Sequence, residues 1–230
     1  LPLQHLEFRL FLFSISCSIL FTIANCADLC YLVAMKNNFL DNYKLEGEIL
    51  KIHTYPAPVL KKIAAPVVDF NDELRALAKN MLFTMYNAPG IGLAAPQVGL
   101  SIRMFVLDIW FDREKVTLAD GSVEYRLSEF SPMVFCNPVF KNKSGEIIHE
   151  EGCLSVPGIY EDVKRAEFVT VEYQDMFGVR QEIEADELLS VCLQHENDHL
   201  DGVVFIERLS FLKKNLLEKK FLKQQLKKNK

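Results

Sequence analysis

The sequence predicts an α+β fold in which short antiparallel sheets surround a central helix that carries a His-Glu-x-x-His motif. Two observations support this. Residues 187–200 repeat apolar positions at helical spacing around His195 and His199. Residues 102–109, 133–140, 168–173 and 179–183 read as short strands, the last two joined by a turn at 174–178 as a hairpin. Short antiparallel strands around such a helix make an α+β domain.

Taken in order, residues 49–60 open with a short strand pattern stopped by Pro56 and Pro58. A helix follows, capped by Asn71 or Asp72, with Leu74, Leu77, Ala78, Met81, Leu82 and Met85 forming its buried face. Pro89 and Gly90 end it and lead into Gly90-Ile-Gly-Leu-Ala-Ala-Pro-Gln-Val-Gly99, whose small residues allow close approach of backbone to a ligand. Residues 111–131 are charged and irregular and are expected to be a surface insertion. Asp186 is expected to cap the motif helix, and Asp201-Gly202 to close it.

Half the residues are apolar and a quarter are charged, a balance that excludes a disordered chain. The net charge of -5 hides an asymmetry, because residues 208–230 carry nine Lys or Arg against the single acid Glu218. Domain organisation is therefore expected as an apolar leader over residues 1–34, a catalytic domain over 35–207 and a basic amphipathic helix over 208–230. In that last segment Leu209, Leu212, Leu216 and Leu217 recur at helical spacing before Phe221 and Leu222. It reads as a solvated helix packed on the body, a membrane-surface helix or an RNA-binding arm.

The leader is uncharged from Leu10 to Ala27. It fits a secretory signal, a membrane anchor, or translated upstream sequence preceding a start at Met35, and the third is favoured. Cys17, Cys26 and Cys30 lie in the leader; Cys136, Cys153 and Cys192 lie in the body without framework spacing. Reduced thiols and a cytoplasmic location follow as the expectation.

The chemistry centres on His195-Glu-Asn-Asp-His199. Two imidazoles four residues apart share one helix face and can reach a single cation, while Glu196, offset by one position, can approach a water held there. Surface histidines placed by chance are the bland alternative. A catalytic site needs a third protein ligand as well as an open position. Where zinc metallopeptidases place a third His, this chain has Phe205, and the downstream acids Glu207 and Glu218 are poorly placed. Cys153, set in a tight segment ending at Pro157-Gly158, is another candidate, although a lone Cys is more often a small buried hydrophobe. Gly90, Gly92 and Ala95 match a dinucleotide fingerprint by letter, but a helix precedes them and Pro96 interrupts the helix that should follow.

Residues 49–208 resemble the peptide deformylases at three motifs: Gly90-Ile-Gly-Leu-Ala-Ala-Pro-Gln97, Glu151-Gly-Cys-Leu-Ser155, and Gln194-His-Glu-Asn-Asp-His-Leu-Asp-Gly202. Tyr55-Pro-Ala-Pro-Val-Leu is also similar to the family's opening, with Ala57 where an acid is common. The resemblance implies a hydrolase that removes the formyl group from the formylmethionine of nascent polypeptides. It implies one divalent metal held by Cys153, His195 and His199 with water in the open position, Fe2+ by family preference and Zn2+, Ni2+ or Co2+ as possible occupants. Glu196 is then the general base, Gln97 and the N–H of Leu154 stabilise the oxyanion, and Gly92 belongs to the same catalytic set. The methionine pocket is expected from Ile91, Leu188, Val191 and Cys192, whose bland reading is ordinary core. Glu151 and Arg165 match family positions that pair behind the Cys153 segment.

The chain is also similar to bacterial-type members in ending with a basic helix, which in them docks on ribosomal RNA and protein near the exit tunnel, so the resemblance implies the ribosome as a partner. DNA is not, and a membrane is expected only if the leader is an anchor. The competing readings are a zinc metallopeptidase, which would need neither Cys153 nor Gln97, and an inactive ribosome-associated factor, which would not need Glu196.

Overall fold

Among the described residues, glycines, prolines and the alternation of apolar residues divide the chain into short strands, and three segments carry the unbroken periodicity of an α-helix. The computed structural model describes residues 40, 43–118 and 120–228, so the leader expected over residues 1–34 lies outside the described residues. All the elements below fall in the compact unit Leu40–Lys230.

Helix α1 (Asp72–Asn87) is capped by Asn71, whose side chain accepts from the N–H of Leu74, and Asp72 and Glu73 complement its N-terminal dipole. Leu74, Ala78, Met81, Leu82 and Met85 form its buried face, while Leu77 is only half-buried. A five-stranded antiparallel sheet runs in the order β1 (Gly92–Ala94), β2 (Met104–Leu107), β5 (Met133–Ser144), β8 (Phe168–Gln174) and β9 (Arg180–Ala185). Two separate hairpins complete the strands: β3 (Asp112–Thr117) with β4 (Val123–Ser128), and β6 (Ile147–Gly152) with β7 (Tyr160–Arg165). Helices mixed with short antiparallel sheets are the α+β class expected. The register of β5 with β8 shifts between Cys136 and Val139, around Pro138, whose ring nitrogen cannot join the ladder.

Helix α2 (Glu187–Leu200) carries the His-Glu-x-x-His motif and is buried at every position from Ser190 to Leu200 except Asn197. One apolar cluster joins it to the sheet: Leu193 and Leu200 pack with Ala94, Phe105, Leu107, Phe135, Val169 and Val171. Its position is also fixed by polar contacts. The amide of Gln194 accepts from the N–H of Ala166 and donates to the Ala166 carbonyl, and Arg103 donates to Asn197 and Asp201 at the other end.

Four expectations need correction. Residues 49–54 form no strand; they are extended chain tied down individually, Leu50 N–H to the Thr84 hydroxyl and His53 N–H to the Gln97 carbonyl. The segment 111–131 is not irregular but a hairpin, with polar residues on both exposed faces, which hid its period of two. Asp186 occupies the N-cap position of α2 but makes no side-chain capping bond, because Glu187 enters the helix at φ of +43°.

The fourth correction concerns helix α3 (Phe211–Lys228). Phe221 is buried, and Leu209 and Leu217 pack partly, against a second cluster of Leu60, Val156, Ile159, Val163, Phe205 and Ile206. Glu218 accepts from the Tyr55 hydroxyl at 2.7 Å, and Lys213 pairs with Glu161. The other expected apolar positions, Leu212, Leu216 and Leu222, are exposed together with Phe211. Spacing alone placed all these leucines on one face; burial selects only those that meet the body.

Candidate metal centre

The loop between β6 and β7 presents Cys153. It is held by a turn in which the N–H of Val156 donates to the Cys153 carbonyl at 2.9 Å, while Val156 and Ile159 are anchored in the second apolar cluster. The thiol therefore faces α2. One sulfur and one ring nitrogen from each of His195 and His199 lie within 4.8 Å of one another, with Cys153 Sγ 3.2 Å from His199 Nε2. Among the described residues this is the only Cys, His, Asp or Glu cluster with ligand geometry.

The donor chemistry fits a divalent cation. His195 Nδ1 lies 2.8 Å from Glu151 Oε2, which keeps a proton on Nδ1 and turns Nε2 towards the cluster. Without a cation, burial lowers the ring's pKa but hydrogen bonds to Cys153 and Glu151 outweigh it and leave the ring charged, and a cation would displace the Nε2 proton. Burial, reinforced by the His195 and Arg165 charges, holds His199 well below the usual imidazole range, so it is neutral and able to donate. A thiolate and two imidazoles form a mixed soft and borderline set suited to Fe2+, Co2+, Ni2+ or Zn2+ and poorly suited to Mg2+ or Ca2+.

Behind the ligands lies a buried polar network. Arg165 donates through Nε and Nη2 to the two carboxylate oxygens of Glu151 at 2.7 and 2.9 Å, and through Nη1 to Asp198 at 2.6 Å. Arg208 closes the far side of Asp198. Burial raises the Glu151 pKa, but hydrogen bonds from Arg165 and His195 and their charges outweigh it and hold the carboxyl at about 2. The structure brings together the expected pair, Glu151 and Arg165, and adds Asp198 and Arg208, which sequence reasoning missed. Asp198 did carry a signal: an acid on the face of α2 that otherwise reads as buried requires a cation, and Arg165 is the one it finds. Arg165→Met should leave Glu151 and Asp198 buried without their shared partner and cost about 3–5 kcal/mol of stability. Denaturant unfolding measures this, and a loss below about 1 kcal/mol would mean that the network does not hold the site together.

Glu196 is 5% exposed, and its Oε2 has no hydrogen-bond partner among the described residues. Burial lifts its carboxyl to about 7, opposed by the His195 charge and assisted by those of Glu151 and Asp198. That is the range in which a carboxylate both accepts and returns a proton at neutral pH. Gly92 is where the sequence requires the absence of a side chain: a Cβ there would stand 2.3 Å from Glu196 Oε1 and 2.8 Å from Cδ. Gln97 sits on a short 3-10 turn after β1. Its Oε1 accepts from Ala94 N–H at 2.7 Å, which leaves Nε2 directed at Cys153 Sγ (3.5 Å) and Ser155 Oγ (3.2 Å).

A cavity of about 430 Å³ opens onto this cluster. Its walls include Ile91, Leu188, Val191 and Cys192, all four expected pocket residues, together with Gly92, Gln97, Leu154, His195 and Glu196. Sequence reasoning did not find Pro89, His149, Glu150 or Tyr160, which also line it. His149, Glu150 and Tyr160 stand on the β6–β7 hairpin, whose strands show no apolar alternation, and Pro89 follows α1.

Residues 49–215 match the polypeptide deformylase family model, about seven-tenths of the chain. This chain belongs to the polypeptide deformylase family. A peptide deformylase 2 from Xanthomonas axonopodis pv. citri is 46% identical over 179 residues, covering 76% of this chain and 96% of that one. A peptide deformylase from Rhizobium meliloti is 44% identical over 169 residues, covering 73% and 89%. Among solved structures, a peptide deformylase from Legionella pneumophila superposes with a TM-score of 0.67 at 43% identity, over 79% of this chain and 99% of that one. The chain is thus an enzyme of the deformylase type, a metal-dependent amidohydrolase that takes the N-formyl group from nascent polypeptides. None of the described helices is long and apolar enough to cross a membrane.

Proposed function

We propose that deformylation is carried out by Glu196 as general base beside a cation held by Cys153, His195 and His199. The observation that carries this reading is the unpartnered Glu196 carboxylate oxygen on the wall of a cavity that is also lined by Cys153 and His195, two members of the Cys153, His195 and His199 cluster. When bound, the ion supplies Lewis acidity, lowering the pKa of water and polarising the formyl carbonyl. Glu196 takes a proton from the attacking water as its oxygen bonds to the formyl carbon. The negative charge that develops on the former carbonyl oxygen is met by Gln97 Nε2–H and the backbone N–H of Leu154, each such donor contributing about 3 kcal/mol. Glu196 then returns its proton to the leaving nitrogen, the carbon–nitrogen bond breaks, and formate and a free amino terminus result. Ile91, Leu188, Val191 and Cys192 enclose the methionine side chain. Burial keeps the Cys192 thiol protonated, so it acts there as an apolar wall.

In this reading α2 is the centre around which the short sheets are arranged, Fe2+ is the resident ion, and the chain works in the cytoplasm. Anaerobic purification, metal analysis and formate release from formyl-Met-Ala test it together. Removal of the metal should abolish turnover, and Fe2+ should restore more of it than Zn2+; cleavage of internal peptide bonds would favour the metallopeptidase alternative instead.

The partner proposed for α3 is ribosomal RNA near the exit tunnel. Lys219, Lys220 and Lys223 are exposed and make no ion pair among the described residues, which leaves them placed to contact phosphates, while Phe221 between them is anchored in the core. Reversing these three lysines to Glu should weaken ribosome co-sedimentation and flatten its salt dependence, with hydrolysis of formyl-Met-Ala retained. Sedimentation equal to that of the unaltered chain would leave α3 as a helix that only packs on the body.

A further inference from the structure

The β3–β4 hairpin stands apart from the metal centre: it forms a two-stranded sheet of its own, and none of its residues lines the cavity. Two strands alone are marginal in water, and each outer edge presents N–H and C=O groups that a further strand can pair. The hairpin is nevertheless fixed to the body. Arg113 donates to the Tyr86 carbonyl, and its guanidinium lies over the rings of Phe111 and Tyr125, 5.6 and 5.8 Å from their centroids. The outer edge of β4 is thereby held in one orientation, with Val123 46% and Tyr125 58% exposed.

The residues of β4 from Val123 to Leu127, Val-Glu-Tyr-Arg-Leu, complement their own reverse. Residues opposite one another across an antiparallel pair share a face. Two copies of one strand related by a two-fold axis therefore set one residue against itself, and that residue fixes the register. With Tyr125 on the axis, Glu124 of each copy meets Arg126 of the other, and Val123 of each meets Leu127 of the other. The two Tyr125 rings meet between them. All of these are favourable cross-strand pairs. The adjacent registers set Glu124 against Glu124 or Arg126 against Arg126, which repel. The edge of β3 does not pair with itself in the same way, because an axis at Glu114 opposes two acids and sets Arg113 against Lys115, and an axis at Lys115 opposes two lysines. Within the chain, Glu124 stands opposite Val116 and has no charge across from it in β3, while Arg126 stands opposite Glu114. In the joined sheet each Arg126 would lie between two carboxylates.

We propose that β4 is a self-association edge: two copies of this chain join through it, antiparallel about Tyr125, to make one four-stranded sheet. Main-chain pairing supplies the affinity. The alternation of Glu124, Tyr125 and Arg126 supplies the register and directs the contact to β4 instead of β3.

Sedimentation velocity of the full, metal-loaded chain over a range of concentrations tests this. A dimer is expected that weakens as salt rises, since its ion pairs are exposed. Glu124→Arg and Arg126→Glu each place like charges opposite one another twice, and each should weaken dimerisation by about ten-fold or more. Mixed together, the two variants again oppose unlike charges and should pair with each other. Tyr125→Cys should be joined to itself by a short thiol-to-thiol linker, whereas Lys115→Cys, on the same face of β3, should not. These positions are all exposed, so the thermal midpoint of the body should be kept in every variant. A monomer at every concentration overturns the proposal. So does a dimer that Glu124→Arg leaves equally tight, a mixture of the two charge variants that stays monomeric, or linkage no greater through position 125 than through position 115.

Discussion

Glu196→Gln is expected to lower kcat by at least about 10²–10⁴-fold, the usual contribution of a positioned general base, while leaving metal content and folding intact. The amide has the same size, so it fits against the backbone at Gly92, where a Cβ would be too close for the native carboxylate. It cannot take a proton from water. Nor does it hold a ligand position, since Cys153, His195 and His199 supply the cluster. The variant should therefore also gain some stability, because it no longer carries a buried carboxylate whose Oε2 lacks a partner. Metal analysis, thermal unfolding and formate release, measured on the same preparation, separate these effects. Turnover within ten-fold of the unaltered chain, with metal intact, would remove Glu196 from the proton-transfer step.

The site was far more legible in the sequence than the fold that builds it. His195, Glu196 and His199 are fixed relative to one another by one helix, so a spacing of four residues is enough to find them. Gln97 and Gly92 were reached only through motif resemblance, and Cys153, a candidate from its tight segment, was fixed as a ligand only by it, because what unites them with α2 is tertiary: a turn anchored by Val156 and Ile159 and a 3-10 turn whose glutamine is oriented by Ala94. The β6–β7 hairpin escaped because it carries the polar network. Glu151 and Arg165 are charged residues facing inward, which breaks the apolar alternation by which a half-buried strand is recognised. The β3–β4 hairpin escaped for the opposite reason, since it buries almost nothing and so has no apolar face to reveal its period. In α3 the periodicity was plain, but the sequence could not say that Phe221 is buried while Leu212 and Leu216 are not, as that depends on where Tyr55, Val156 and Phe205 lie.

Cys153→Ser is expected to weaken metal binding by well over the 10–100-fold that loss of a supporting residue costs, because it removes one of the three donors outright. The thiolate brings the only negative charge among the donors; a serine hydroxyl is neutral at working pH, harder and a weaker ligand for Fe2+, Co2+, Ni2+ or Zn2+. The sulfur also organises its surroundings. It accepts from Gln97 Nε2 at 3.5 Å and from Ser155 N–H at 3.4 Å, and it lies 3.2 Å from His199 Nε2. A hydroxyl oxygen has a shorter bond to Cβ and a smaller radius, so it cannot keep all three distances without moving the turn. Folding should be affected much less than binding, since Cys153 is only half-buried and the turn is anchored by Val156 and Ile159 rather than by the thiol. The unfolding midpoint of the metal-free variant should therefore stay close to that of the metal-free unaltered chain. The stabilisation gained on adding metal should be much smaller, because it follows directly from affinity. Competition titration against a chelator of known strength gives the affinity itself. A purified Cys153→Ser chain that binds one equivalent of metal as tightly as the unaltered chain would show that Cys153 is not a ligand and that the third donor lies elsewhere.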